Sequence, residues 1–180
     1  MDIKKFESFP MPMQNRLEWR GFIEFVWNYF NSMGIKNPIV VELGTYGGEQ
    51  RIFYEEILNA TYIGIDNKEE MGEQTKTDIY GDTHEAKVIK SLKAILNGKS
   101  INLLYIDACH KYEYVKKDYE IYGSMTENLI AFHDIKPRTH GVRKFWSGLQ
   151  SRHPDKLFVS FCNSSEYCHR RMGIGVEVIK

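Results

Sequence analysis

Asp107 closes an apolar run, Leu103-Leu104-Tyr105-Ile106, and His110 follows three residues later. A carboxylate at the mouth of a hydrophobic strand needs a hydrogen-bond partner, a counter-charge or a metal ion. The run Asn128-Leu129-Ile130-Ala131-Phe132 ends the same way, on His133 and Asp134. If the two runs are neighbouring parallel strands, both carboxylates meet at one edge, where like charges raise each other's pKa. A divalent cation removes that conflict. Carboxylate oxygens, with water in the remaining positions, suit Mg²⁺ or Mn²⁺. His133 is a candidate third donor and tilts the preference toward Mn²⁺. Side chains alternate along a strand, however, which points His133 and Asp134 to opposite faces. His110 lies past the end of its strand, and an imidazole with an ordinary pKa near 6.5 is a usable proton acceptor at neutral pH.

A second group of residues could hold a ligand. The β-branched run Pro38-Ile39-Val40-Val41 leads into Glu42-Leu43-Gly44-Thr45-Tyr46-Gly47-Gly48. Glycines let the backbone turn tightly and approach a ligand closely. The G-x-x-G-G pattern lacks the G-x-G-x-x-G spacing of a pyrophosphate-binding turn, and Glu42 beside it suits a cationic ligand better than a phosphate. Asp66 ends the next strand, 22 residues after Gly44, where an acid can accept both hydroxyls of a ribose. Capping of the following segment, 67–74, is its alternative role. Asp82 and Thr83 end a third, weaker strand, where they either contact the ligand or cap a helix beginning near His84.

These residues need a scaffold that gathers strand ends. Strand-like runs fall at 38–44, 61–66, 77–82, 101–107, 128–134, 156–163 and 173–180, and helical periodicity separates most of them. That alternation predicts a doubly wound α/β fold: a mostly parallel, seven-stranded Rossmann-like sheet with helices on both faces. The last two strands have no helix between them, so one antiparallel strand is expected near the C-terminus. Residues 1–37 read as an extended arm followed by a helix over 13–33, a candidate pocket cover. Residues 38–180 read as the ligand-binding domain.

Bulk properties narrow the partners. The 180 residues carry 24 basic and 24 acidic side chains, so no global field draws in nucleic acid. No apolar run approaches the ~18 residues that span a membrane. The N-terminus has no signal-peptide pattern, and three cysteines suit a reducing, cytoplasmic setting. Cys162, Cys168 and His169 lack the spacing of a four-ligand zinc site. Arg138, Arg143, Lys144, Arg170 and Arg171 read as solvated charge.

Taken in order, ELGTYGG, YIGID, IYGDT, LLYIDACHKYE and IAFHDI resemble the class I S-adenosylmethionine-dependent methyltransferases. More narrowly, they resemble the metal-dependent O-methyltransferase group that includes catechol, macrolide-sugar and cephalosporin-biosynthesis-type enzymes. The resemblance runs from about Pro38 to the C-terminus, and its most specific part is the stretch from Asp107 to Glu113. It implies that Glu42, Gly44 and Asp66 hold the cofactor, and Thr45, Tyr46, Gly47, Asp82, Thr83 and Asp107, at the same strand ends, complete the expected cofactor set. It further implies that Asp107 and Asp134 face the substrate pocket and that the proton acceptor lies three residues after the strand-ending acid, at His110; with His133, from its position beside Asp134, the two aspartates make up the expected metal set. Two departures stand out: the chain between Asp66 and Thr77 is short for a helix, and Ala108-Cys109 omits a carboxylate of the pattern. The expected activity is metal-assisted methyl transfer to a hydroxyl of a sugar, polyol or catechol-like small molecule, by a monomer or a homodimer. The alternatives are a nucleotide- or NAD-binding oxidoreductase and a catalytically silent ligand-binding member of the fold.

Overall fold

In chain order the elements are α1 (Ile3–Ser8), α2 (Arg16–Ser32), β1 (Ile39–Leu43), α3 (Arg51–Leu58), β2 (Thr61–Asp66), β3 (Ile79–Tyr80), α4 (Ala86–Leu96), β4 (Ile101–Ile106), α5 (Tyr112–Gly123), β5 (Thr126–His133), α6 (Gly141–Arg152), β6 (Leu157–Phe161) and β7 (Ile174–Val178). The computed structural model describes residues 1–67, 77–137, 141–162 and 172–180. The strands form one sheet in the order β3-β2-β1-β4-β5-β7-β6. All pairs from β3 to β5 are parallel, and β7 runs antiparallel to both β5 and β6. The expected architecture, including its single antiparallel strand, is therefore present.

Strand parity decides what each face buries. Val41, Leu43, Leu104, Ile106, Ile130 and Phe132 meet α4, α5 and α6, while Val40, Leu103, Tyr105, Leu129 and Ala131 meet α1, α2 and α3. Glu42 shares the parity of Val40, and His133 that of Ala131, so both side chains enter the α2 face. Helix α2 begins at Asn15, whose side chain accepts the amides of Leu17 and Glu18. Its buried stripe is Trp19, Phe22, Ile23, Val26 and Phe30, and each large side chain contributes about 1.5–3 kcal/mol. Leu17 and Met33, apolar residues near the two ends of this stretch, are exposed at 63% and 50%.

The first residues do not form an extended arm. Asp2 accepts the amide of Lys5 and starts α1, and Phe6 is fully buried against Phe53 at a ring separation of 5.0 Å. Such a short helix is marginal alone, and this tertiary anchor supplies what propensity cannot. Among the described residues no helix is long and apolar enough to cross a membrane.

Candidate functional site

The chain runs outward from β1 to β2 and β3, then returns to β4 on the other side, so strand order reverses between β1 and β4. Ligands of open α/β sheets bind beyond such a reversal, at the carboxyl ends of the strands. Here Gly44 and Asp107 leave the sheet side by side, with the Asp107 amide donating to the Leu43 carbonyl at 2.8 Å. Gly44 has φ +87°, and a Cβ there would lie 2.4 Å from the Asp107 carbonyl oxygen, so only glycine fits. A cleft of about 580 Å³ opens above this point.

One wall of the cleft is the acid–imidazole cluster. Asp107 Oδ1 lies 2.9 Å from His133 Nδ1 and 3.4 Å from His110 Nε2. His110 Nδ1 is 3.4 Å from Asp134 Oδ2. Asp134 follows the last residue of β5 with φ +60°, and this left-handed step lets it leave the strand's alternation. His133 and Asp134 therefore reach one site although neighbouring strand residues face apart. Burial pushes the Asp107 carboxyl up, but His133 and His110 outweigh it and hold the group below its ordinary range. The Asp107 hydrogen bond raises His110 above its usual value, against the effect of burial. Burial favours neutral His133, yet the Asp107 charge and hydrogen bond raise it as well.

Donor atoms of Asp107, His110 and Asp134 all lie within 4.8 Å of one another. Two carboxylates and an imidazole suit a divalent cation such as Mn²⁺, with water completing the shell, so the residues fit an ion. Both histidines reach the two acids: His110 lies 3.4 Å from each, and His133 Nδ1 lies 2.9 Å from Asp107 Oδ1 and 3.8 Å from Asp134 Oδ2. His133 directs Nδ1 to Asp107, while its buried Nε2 has no hydrogen-bond partner among the described residues.

The opposite wall belongs to the first three strand ends. Asp66 Oδ2 accepts the Tyr46 amide at 2.8 Å, which ties the glycine turn to β2. Thr45 is fully buried and bonds Thr77 at 2.7 Å, behind the wall. Asp82 accepts the His84 amide at 2.8 Å in the turn before α4, but the N-cap of that helix is Glu85 and receives no side-chain hydrogen bond, so neither Asp82 nor Thr83 caps it. Gly44, Tyr46, Asp66, Asp82, Thr83 and Asp107 line the cleft, whereas Glu42, Thr45 and Gly47 do not. Past Asn67, the segment for which Asp66 is an alternative cap lies outside the described residues, as do Arg138, Cys168, His169, Arg170 and Arg171.

Glu42 sits beneath the floor, fully buried, accepting a hydrogen bond from the Tyr62 hydroxyl. Burial dominates and raises its pKa well above the carboxylate range, with Tyr62 opposing and Asp107 adding to the rise. Above the unfolded pKa of ~4.3 the unfolded chain has released a proton that the folded chain keeps, so wild-type stability falls as pH rises. Glu42→Gln removes that dependence. Its melting temperature relative to wild type should climb between pH 5 and 8, as read by calorimetric scans; a difference independent of pH means that Glu42 is ionised in the fold.

Several cleft residues carry no sequence signal. Gln14 precedes α2, and its Nε2 lies 3.4 Å from Asp107 Oδ2 across 93 positions of chain. Glu18, buried on α2, accepts the Gly173 amide at 3.0 Å and so ties the N-terminal helix to the segment carrying Met172. Met13 and Met172 also line the cleft. Only a fold that returns its first and last segments to the β1–β4 reversal brings these residues in.

The geometry places the chain among the doubly wound α/β domains that bind ligands at a strand-order reversal, here with a candidate metal-binding triad. Residues 41–135 match the family model described as "Methyltransferase domain", just over half of the 180 residues, and the chain belongs to that family. The fold is that of the class I S-adenosylmethionine-dependent methyltransferases. An O-methyltransferase from Bacillus cereus, solved with S-adenosylhomocysteine, superposes with a TM-score of 0.61 at 16% identity, over 97% of this chain and 86% of that one. The O-methyltransferase TomG from Streptomyces achromogenes, involved in tomaymycin synthesis and solved with S-adenosylmethionine, gives 0.63 at 13% identity over 97% and 94%. MycE of the mycinamycin biosynthetic pathway, solved with Mg and S-adenosylhomocysteine, gives 0.57 at 14% identity. The match covers 94% of this chain and 51% of MycE, so the chain spans about half of that protein. At these identities the likeness is one of fold. No curated protein sequence matches the chain.

Proposed function

We propose that the protein is a cytoplasmic S-adenosylmethionine-dependent O-methyltransferase. It methylates a hydroxyl of a sugar, polyol or catechol-like small molecule, with Mg²⁺ or Mn²⁺ at Asp107 and Asp134. The observation that carries this reading is the meeting of Asp107, His110 and Asp134 within 4.8 Å at the β1–β4 reversal, in the same cleft as Asp66. When bound, the cofactor supplies an electrophilic methyl group, and the cation lowers the pKa of an acceptor hydroxyl. Asp66 accepts the ribose hydroxyls. Asp107 and Asp134 hold the cation, His133 fixes the Asp107 carboxylate, and His110 takes the acceptor's proton. Met13 and Gln14 bring residues 1–37 over the acceptor side as a cover that excludes water, and a second subunit in a homodimer would extend it. The acidic lining, which includes Glu49, Asp66, Asp82 and Asp107, favours a sulfonium ligand over a pyrophosphate.

A second reading of His110 is favoured by its position: it offers a ring nitrogen within 4.8 Å of a carboxylate oxygen of both Asp107 and Asp134, as a third metal donor would. The site as a whole is tested by a thermal-shift comparison of S-adenosylhomocysteine with NAD. At 100 times its dissociation constant a ligand stabilises the fold by about 2.7 kcal/mol. The homocysteine nucleoside should do so and NAD should not; the reverse order sinks the methyltransferase reading. Asp66→Ala should weaken S-adenosylhomocysteine binding by ~1–3 kcal/mol, because two hydroxyls lose a charged acceptor. Unchanged affinity in a calorimetric titration removes Asp66 from the site.

A further inference from the structure

Helix α5 starts two residues after His110 and runs back beneath the other wall of the cleft. Tyr114, Asp118 and Tyr122 recur every four residues and so share one face of it. All three grip the segment that joins β3 to α4. Asp118 is fully buried, and its Oδ1 accepts the Thr83 hydroxyl at 2.7 Å. His84 Nε2 stands 3.1 Å from the same oxygen. Tyr122, also fully buried, donates to the Thr83 carbonyl at 2.6 Å. The Tyr114 ring lies over His84 with centroids 5.1 Å apart. Thr83 is thus held through both its hydroxyl and its carbonyl, and its neighbour Asp82 shares the cleft lining with it.

We infer that Asp118 is a positioning residue for cofactor binding: through Thr83 it fixes the Asp82–Thr83 wall at a set distance from the Asp107–His110 turn, from which its own helix departs. This rests on the methyltransferase reading above. A purely structural role fits the energetics poorly. Burial, opposed by Thr83 and His84 and assisted by Asp82, pushes Asp118 up to about 6. At pH 7.5 the group is ionised in both states, and a folded-state pKa above the unfolded value means that the buried charge costs native stability. A residue present for stability alone would be better replaced by a neutral one. A carboxylate that accepts the hydroxyl of the cleft-lining Thr83 acts on the ligand's geometry instead.

The test uses S-adenosylhomocysteine binding by calorimetry at pH 7.5, with Asp118→Asn, Asp118→Leu and Thr83→Val. Wild-type binding comes first, and its failure counts against the methyltransferase reading before any variant is measured. Asp118→Leu should lose about tenfold or more in affinity, the scale of one hydrogen bond to a charged group. Thr83→Val should lose the same, and the double variant should lose no more than either, since all three break one contact. Asp118→Asn keeps an acceptor for Thr83, so it should recover most of the affinity without melting below wild type. At saturating cofactor, turnover of the leucine variant should return to the wild-type rate. Wild-type affinity in Asp118→Leu, or losses that add in the double variant, would overturn the proposal. If the leucine variant fails to fold, Thr83→Val carries the test alone, and undiminished affinity there overturns it equally.

Discussion

Rigorous chelation should stop methyl transfer without releasing S-adenosylhomocysteine, and added Mn²⁺ or Mg²⁺ should restore the rate. The two halves of this result follow from two walls. Asp66 and the Tyr46 amide it anchors sit on the β1–β2 side, and nothing there requires a cation. Asp107, His110 and Asp134 sit on the β4–β5 side, where two carboxylates and an imidazole converge within 4.8 Å. Asp107→Asn and Asp134→Asn should each cost at least about 100-fold in turnover. Outer-shell partners of metal sites already cost 10–100-fold, and a direct donor should cost no less. Calorimetric Mn²⁺ titrations should show the affinity falling in parallel. Full activity after chelation would assign these acids to orienting substrate or capping structure, and the metal part of the proposal would be lost.

His110→Ala should lower turnover by about 10²–10⁴, the range for a positioned acid or base, while cofactor affinity stays near wild type. His110 lies in the turn beyond β4, half exposed, bracketed by Asp107 and Asp134 and held from behind where its carbonyl accepts the Gly141 amide at 2.8 Å. That support fixes the backbone whatever the side chain, so the alanine variant should keep its fold. A more acidic acceptor hydroxyl should shrink the penalty if His110 takes the proton, because less help is then needed. Mn²⁺ affinity separates the two readings: unchanged in the variant, it identifies a proton acceptor; reduced in step with turnover, it identifies a ligand. Wild-type turnover in the variant excludes both.

The sheet was legible because its strands are short β-branched runs closing on Gly, Asp or His, and because helical spacing intervenes between them. The acids at the strand ends were legible for the same reason: Asp66, Asp107 and Asp134 each interrupt an apolar run. Other features needed the fold. Glu42 resembles a ligand-facing acid until strand parity turns it into the α2 face, under Tyr62. His133 and Asp134 come together through one left-handed residue that neighbouring side-chain types do not announce. Gln14 lies 93 positions from the carboxylate it meets. Asp118 lies in the charged stretch Lys116-Lys117-Asp118-Tyr119-Glu120, whose composition gives no sign of burial, and docking of α5 under Thr83 buries it.

The left-handed turn at Asp134 also limits which sequences this site accepts. For most L residues that conformation costs roughly 1–2 kcal/mol, with Asp, Asn and Gly the tolerant types. Position 134 is therefore selected twice, once by backbone and once by charge. Aspartate is the side chain that meets both conditions, since glutamate carries the charge but not the tolerance. Asparagine keeps the turn and deletes the charge, so it reports on chemistry alone, whereas alanine would fold strain into every measured loss. Valine or isoleucine, at home in the strand just before, would push the segment out of its turn and carry His133 with it. Drift at this position should run through asparagine or glycine, each of which preserves the shape of an inactive site.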